Sequence, residues 1–375
     1  MDSHTSSDPD DARIGDLTDD RVAPARRLGR GVSANPVGRF EPRSRVGVDD
    51  GWDSDDPLPP LRTEVRDERI GRVISRNSSP DLSFDRSINP YRGCEHGCVY
   101  CFARPTHSYL NLSPGLDFET QLVARPNAPL RLAEELAAKS YIPKVIAIGT
   151  NTDAYQPIEK TREIMREILQ ILSDFNHPVA ITTKGSLIER DIDILAPMAA
   201  RGLVRVGISI TTLDPKLSRS LEPRVPGPKR RLQIIERLSA QGIPVRTMVS
   251  PVIPGLTDHE LEKILEAARD AGAVAATWSM LRLPYEVSRL FRDWLADTHP
   301  NAAAKVLKRV REAHGGKDYD PRWGKRMRGE GAHAEMIHRR FKLSTKLLGL
   351  DRQVTPLRCD LFKVPPRAGD QLSLF

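Results

Sequence analysis

From Val145 onward the chain repeats one pattern, a short apolar run followed by an amphipathic segment, and this alternation leaves few folds open. Val145–Gly149, Val179–Thr183, Val204–Ile210, Ile243–Val249 and Val274–Leu281 read as strands. Arg162–Leu172, Leu187–Ala199, Lys229–Ala240, Thr257–Ala271 and Glu286–Asp297 carry apolar residues at helical spacing. Thr257 with Glu260 three residues on predicts a capping box. Strands separated by helices cannot pair as hairpins, so the pattern predicts a parallel sheet with right-handed crossovers. With a further strand near Ser87 there are about six units, which predicts an α/β fold, an incomplete (β/α)6 barrel of the TIM type. In such barrels the chemistry sits on loops just beyond the C-terminal ends of the strands. Here those positions carry Thr150, Asn151, Asp153, Lys184, Ser209 and the segment Ser250–Pro254.

Ahead of the first of these units lies an unusual loop. Three of the four cysteines in 375 residues, Cys94, Cys98 and Cys101, fall at Cys-x3-Cys-x2-Cys spacing. Short steps let one loop wrap several thiolates around a single inorganic centre. Iron–sulfur clusters usually take four. With three, a [4Fe–4S] cube keeps one iron free of protein and open to a small molecule. Gly93 and Gly97 allow the loop tight turns, and Pro90 stiffens its entry. The alternative is zinc, with His96 or His107 completing a tetrahedron.

The cysteine spacing, with Tyr100 before the last cysteine and Phe102 after it, resembles the signature of the radical S-adenosylmethionine (SAM) superfamily. The resemblance implies a [4Fe–4S] cluster on Cys94, Cys98 and Cys101, with SAM chelated at the open iron. It also implies reductive cleavage of SAM to a 5′-deoxyadenosyl radical, fed by an electron donor such as flavodoxin or ferredoxin. Over about Ser87 to Leu283 the chain resembles spore photoproduct lyase and its relatives. In that group a lysine after the third strand and a serine on the fourth contact the SAM carboxylate, and the tyrosine of the cysteine motif helps hold the adenosyl part. The matching positions are Lys184, Ser209 and Tyr100. Thr150, Asn151 and Asp153 fall where the superfamily binds the methionyl amine, although Asp153 could instead close an Asx-turn on its own loop. Val252 lies in a segment resembling the one near adenine. Arg224 is a clamp for carboxylate or phosphate, or else a partner of Glu222. Spore photoproduct lyase also uses an active-site cysteine as hydrogen donor, and no cysteine lies between residues 145 and 283. Cys359 is the one spare thiol, far along the chain, and the catalytic residue beyond radical generation stays unassigned.

The flanks differ in character. Residues 1–60 are rich in Asp, Arg, Gly, Ser and Pro and read as a disordered leader, with Arg26, Arg27 and Arg30 as a basic patch. Residues 61–298 form the expected barrel, and 299–362 a basic helical extension with a helix over Ala332–Leu348. Between Lys317 and Gly331, Tyr319, Trp323 and Arg326 could track a phosphate backbone and stack a base, or pack against the barrel. Residues 363–375 read as a flexible tail. Its end, Gln371, Leu372, Ser373, Leu374 and Phe375, resembles the pentapeptide by which bacterial proteins dock on the DNA polymerase sliding clamp. The leader holds about eight arginines against about thirteen acids, so a net charge of +7 leaves the remainder near +12. Such a balance favours polyanions. No apolar run approaches the roughly 20 residues of a membrane span, no secretory signal opens the chain, and a thiolate loop needs reducing surroundings, so the cytoplasm is the expected compartment. The expected function is a lyase-like radical SAM enzyme acting on nucleic acid, as in DNA repair. The alternatives are a radical SAM enzyme on a protein or small molecule, and a non-catalytic zinc-bound nucleic-acid or clamp adaptor.

Overall fold

The structure, a computed structural model, describes residues 20–41, 59–351 and 355–366. Its strands are β1 (Glu64–Asp67), β2 (Ser75–Arg76), β3 (Arg86–Ile88), β4 (Tyr91–Arg92), β5 (Gln121–Ala124), β6 (Ile146–Ile148), β7 (Val179–Thr183), β8 (Val204–Ser209), β9 (Val245–Val252) and β10 (Ala275–Met280). β3, β6, β7, β8, β9 and β10 pair in chain order, every pair parallel, and β2 adds an antiparallel edge at β3. This is the incomplete six-stranded α/β barrel that the alternation predicts. A small second sheet, β1-β5-β4, flanks the cysteine loop.

The helices cover the outside of the sheet because their apolar residues recur on one face. Ile164–Asp174 buries Ile164, Met165, Ile168, Leu169 and Leu172, and Leu261–Asp270 buries Leu261, Ile264, Leu265 and Ala268. On β7, Val179 and Ile181 pack into the core. Thr182, next along the strand, lines the barrel's interior cavity. Truncating one of these core side chains to alanine costs about 2–5 kcal/mol.

Three expectations are corrected. The predicted Leu187–Ala199 helix begins as a 3-10 turn, Ser186–Asp191, before the α-helix Ile192–Ala200. The capping box does not form. Thr257 Oγ1 accepts from Ile253 N at 2.9 Å, and the Glu260 carboxylate takes the Thr212 hydroxyl and Leu213 N, so both side chains tie neighbouring loops together. Of the leader, residues 20–41 pack against the barrel. Val32 and Ala34 are fully buried, and Arg30 donates to Glu119 O, Leu61 O and Thr63 Oγ1, while Arg27 bonds Val22 O. The Arg26–Arg30 patch is therefore largely internal structure. Residues 1–19 and 42–58, and the tail from 367 that carries Gln371–Phe375, lie outside the described residues. The extension holds the expected long helix, Gly331–Leu348, and among the described residues no helix is long and apolar enough to cross a membrane.

Candidate active site

The cysteine loop follows β4 and closes on itself through Gly97 N to Cys94 O and Cys101 N to Cys98 O. Its two glycines are required. Gly93 and Gly97 have φ of +76° and +67°, and a Cβ at Gly97 would stand 2.7 Å from Glu119 Oε2. Behind the loop sits a fully buried ion pair, Arg104 with Glu119 at 2.5 Å. Arg104 also donates to Cys98 O and Gly115 O at 2.9 Å, and Glu119 accepts from Gly31 N of the leader at 2.8 Å. Leader, pair and loop form one packed unit.

In front of the loop opens a cavity of about 570 Å³ at the C-terminal mouth of the barrel. Cys94, Cys98 and Cys101 line it together. Among the described residues no group of three His, Cys, Asp or Glu side chains closes on a point as a single-ion site would. Burial pushes the Cys98 thiol up to about 12 and raises Cys94 well above the ordinary range, with Asp153 adding to the latter. A metal centre would supply the positive charge that stabilises thiolate where burial does not. The donor set and the glycine cradle fit an iron–sulfur cluster. His107, one zinc-ligand alternative, is turned away, with Nε2 2.9 Å from Gln121 O.

Tyr100, Thr150, Asn151, Asp153, Lys184 and Ser209 all line the same cavity. The Tyr100 hydroxyl is tied to Glu222 and lies 3.1 Å from Thr211 Oγ1, and Glu222 is neutralised by Arg231, both of them fully buried. Arg231 in turn donates to Ser209 O at 2.8 Å, which fixes the end of β8. Lys184 has no carboxylate at ion-pair distance among the described residues, and its ammonium sits 5.9 Å from the Tyr100 ring centroid. Burial alone would lower its pKa, but Cys98 and Glu222 more than offset that and hold it charged. Asp153 lines the cavity with its oxygens already engaged, accepting from Tyr155 N at 2.9 Å, Thr183 Oγ1 at 2.7 Å and Lys184 N at 2.8 Å. Burial opposes its ionisation, yet His96 and these donors hold its pKa at about 2.

Three predicted residues are not brought to the cavity wall. Arg224 pairs with Glu95 at 3.4 Å, because Glu222 is taken by Arg231. Val252 is buried in the core, its carbonyl accepting from Leu281 N. Cys359 lies at the other end of the barrel, where Arg358 N bonds Gly202 O and Lys363 N bonds Phe175 O, just ahead of β8 and β7. Arg282, Ser279 and Met327 arrive without having been singled out, beside Ser250, Tyr319 and Arg326, which were. Arg282, two residues past β10, lays its guanidinium 3.9 Å from the Phe102 ring centroid, and the Ser250 and Ser279 hydroxyls meet at 2.5 Å. From the extension, Tyr319, Arg326 and Met327 close over the mouth, whereas Trp323 stays 60 % exposed outside the lining. Position after a strand end was a signal for Arg282, and the basic-aromatic stretch from Lys317 marked Tyr319 and Arg326; nothing local marked Met327.

Comparison with known proteins agrees with this geometry. Residues 88–268 match the family model of the radical SAM superfamily. An uncharacterized protein of Mycobacterium tuberculosis is 39% identical over 242 residues, covering 64% of this chain and 70% of the relative. One from Methanocaldococcus jannaschii is 31% identical over 173 residues, covering 46% of this chain and 62% of the relative. Among solved structures, a spore photoproduct lyase complexed with dinucleoside spore photoproduct superposes with a TM-score of 0.55 at 13% identity, over 76% of this chain and 79% of that one. That likeness is one of fold.

Proposed function

Because the chain belongs to the radical SAM superfamily, whose cofactors are a [4Fe–4S] cluster and SAM, we propose that Cys94, Cys98 and Cys101 hold the cluster and that the cavity beside them receives SAM. The observation that carries this reading is the convergence of three thiols from one loop and an unpaired lysine ammonium on a single cavity. Together the bound cofactors supply a 5′-deoxyadenosyl radical, one electron from a flavodoxin- or ferredoxin-type donor breaking the C5′–S bond of SAM and releasing methionine.

The chain's own residues bind and orient. Lys184 and the Ser209 hydroxyl meet the SAM carboxylate, a charge-assisted pairing that Lys184 can make because no protein carboxylate competes for it. Tyr100 presents its ring to the adenosyl part while Glu222 and Thr211 lock its hydroxyl. Thr150 and Asn151 offer oxygens to the methionyl amine. Asp153 positions the Lys184 backbone and His96.

For substrate, the reading is nucleic acid, in a lyase-like, repair-type reaction. Lys184 and Arg282 line the cavity without an ion-pair partner among the described residues, which gives the opening a positive balance. The spore photoproduct lyase of like fold was solved with a dinucleoside lesion. The Gln371–Phe375 tail, by its resemblance to clamp-docking peptides, would bring the enzyme to replicating DNA. Anaerobic reconstitution tests the cofactor assignment: wild type should take up about four irons and four sulfides per chain, and Cys94→Ala, Cys98→Ala and Cys101→Ala should each lose most of them. One tightly held zinc without sulfide would refute it. SAM turnover stimulated by lesion-bearing DNA rather than by peptides would support the substrate class, and the reverse would overturn it.

A further inference from the structure

Arg282 is a charged group that pairs with no carboxylate among the described residues. Its guanidinium is stacked on Phe102, the residue after the third cysteine, at 3.9 Å from the ring centroid, and it lines the cavity. Among the described residues its polar contact is with Met327 Sδ at 3.3 Å, a weak acceptor. Among the described residues no carboxylate lies within ion-pair distance of it. Its neighbour Arg326 differs, being held by Asp81 at 2.6 Å and by Ser79 Oγ. Burial presses on Arg282 most and Arg326 adds to it, while Tyr319, Cys101 and Asp81 act in the opposite sense without pairing with it. An unpaired guanidinium so placed is unfavourable until an anion completes it, and the flat fork of donors matches a phosphate or carboxylate in two-point contact.

The surroundings choose between anions. Phe102 remains 42 % exposed beside the guanidinium, and the half-buried Tyr319 ring lines the same mouth. Aromatic faces beside a cation are what a nucleic-acid strand uses, phosphate on the charge and bases on the rings. We propose that Arg282, laid across Phe102, receives a backbone phosphate of a single-stranded or locally opened nucleic acid at the mouth of the cavity. This deepens the nucleic-acid reading above and rests on it.

The test is fluorescence anisotropy with the full chain, reconstituted anaerobically, and a short fluorescein-labelled oligothymidylate, titrated over a range of salt concentrations. Wild type binds, and affinity falls as salt rises. Arg282→Gln weakens binding about tenfold and lowers the slope of log affinity against log salt by about 0.7, one phosphate contact on a single strand. Arg282→Lys keeps the slope with a smaller loss of affinity. Phe102→Leu, which removes the platform but leaves the charge, also keeps the slope, so the idea stays testable if Arg282→Gln fails to fold. Unchanged affinity and slope in a folded Arg282→Gln would overturn the proposal and leave the nucleic-acid reading standing. A wild type that ignores the oligonucleotide but binds labelled polyglutamate would overturn both.

Discussion

Glu119→Gln isolates what holds the cysteine loop in place. Glu119 and Arg104 are both fully buried and 2.5 Å apart, and the carboxylate also accepts from Gly31 N at 2.8 Å and Val32 N at 3.3 Å. The amide is nearly the same shape but carries no charge, so the change leaves the Arg104 guanidinium buried without a counter-ion. Losing one partner of such a pair costs about 3–5 kcal/mol. Arg104 keeps its carbonyl partners at Cys98 and Gly115, which puts the expected loss near the lower end, about 3 kcal/mol. Because the same carboxylate grips the leader, residues 20–41 should become sensitive to protease, and cluster retention should fall. Anaerobic urea denaturation gives the energy, and limited proteolysis with iron analysis gives the rest. The double change Arg104→Met with Glu119→Leu removes both charges and should cost less than the single one. A loss below about 1 kcal/mol with the leader still protected would refute the argument.

Other consequences are as direct. Lys184→Met should raise the dissociation constant for SAM about ten- to a hundredfold in equilibrium dialysis, the worth of one charge-assisted contact; unchanged binding would place the carboxylate elsewhere. Burial holds His107 and His177 at about 4, below the usual value near 6.5, so each is neutral in the fold and protonates more readily in the unfolded chain. The stability they allow is whole above about pH 7 and drains as pH falls from about 6.5 towards 4, by up to roughly 3 kcal/mol each. Urea midpoints should follow that window, less steeply in His177→Gln, and a flat profile would contradict it. Cys359→Ser should leave deoxyadenosine production unchanged, since the thiol lies at the barrel end away from the cavity; loss of product in a folded variant would contradict that placement.

The sheet was legible because its determinants are local. The Ile146–Ile148, Val179–Thr183 and Val204–Ser209 strands are β-branched runs set between helices whose apolar faces repeat every three or four residues. Cys94, Cys98 and Cys101 were legible for the same reason, as was the convergence of Lys184, Ser209 and Thr150, which follows from strand ends alone. What the sequence concealed depends on distant partners. The segment 20–41 looks disordered by composition, yet it docks through backbone amides and Arg30 onto Glu119, contacts with no hydrophobic period to read. Thr257 and Glu260 form the right pattern for a capping box, but Glu260 finds Thr212 across the fold. Arg224 lost its expected partner because Arg231, one helix away, reaches Glu222 from inside the core. Val252 stands next to the cavity-lining Pro251 but turns into the core, a difference of one residue in which side of the strand is presented.

The central claim is that this cavity makes a radical from SAM. Its most direct test is anaerobic reconstitution followed by reduction in the presence of SAM, with 5′-deoxyadenosine and methionine quantified for wild type and Cys98→Ala. The account predicts both products in equal amounts from wild type and neither from the variant. A fully reconstituted, reduced wild type that binds SAM and leaves it intact would contradict it.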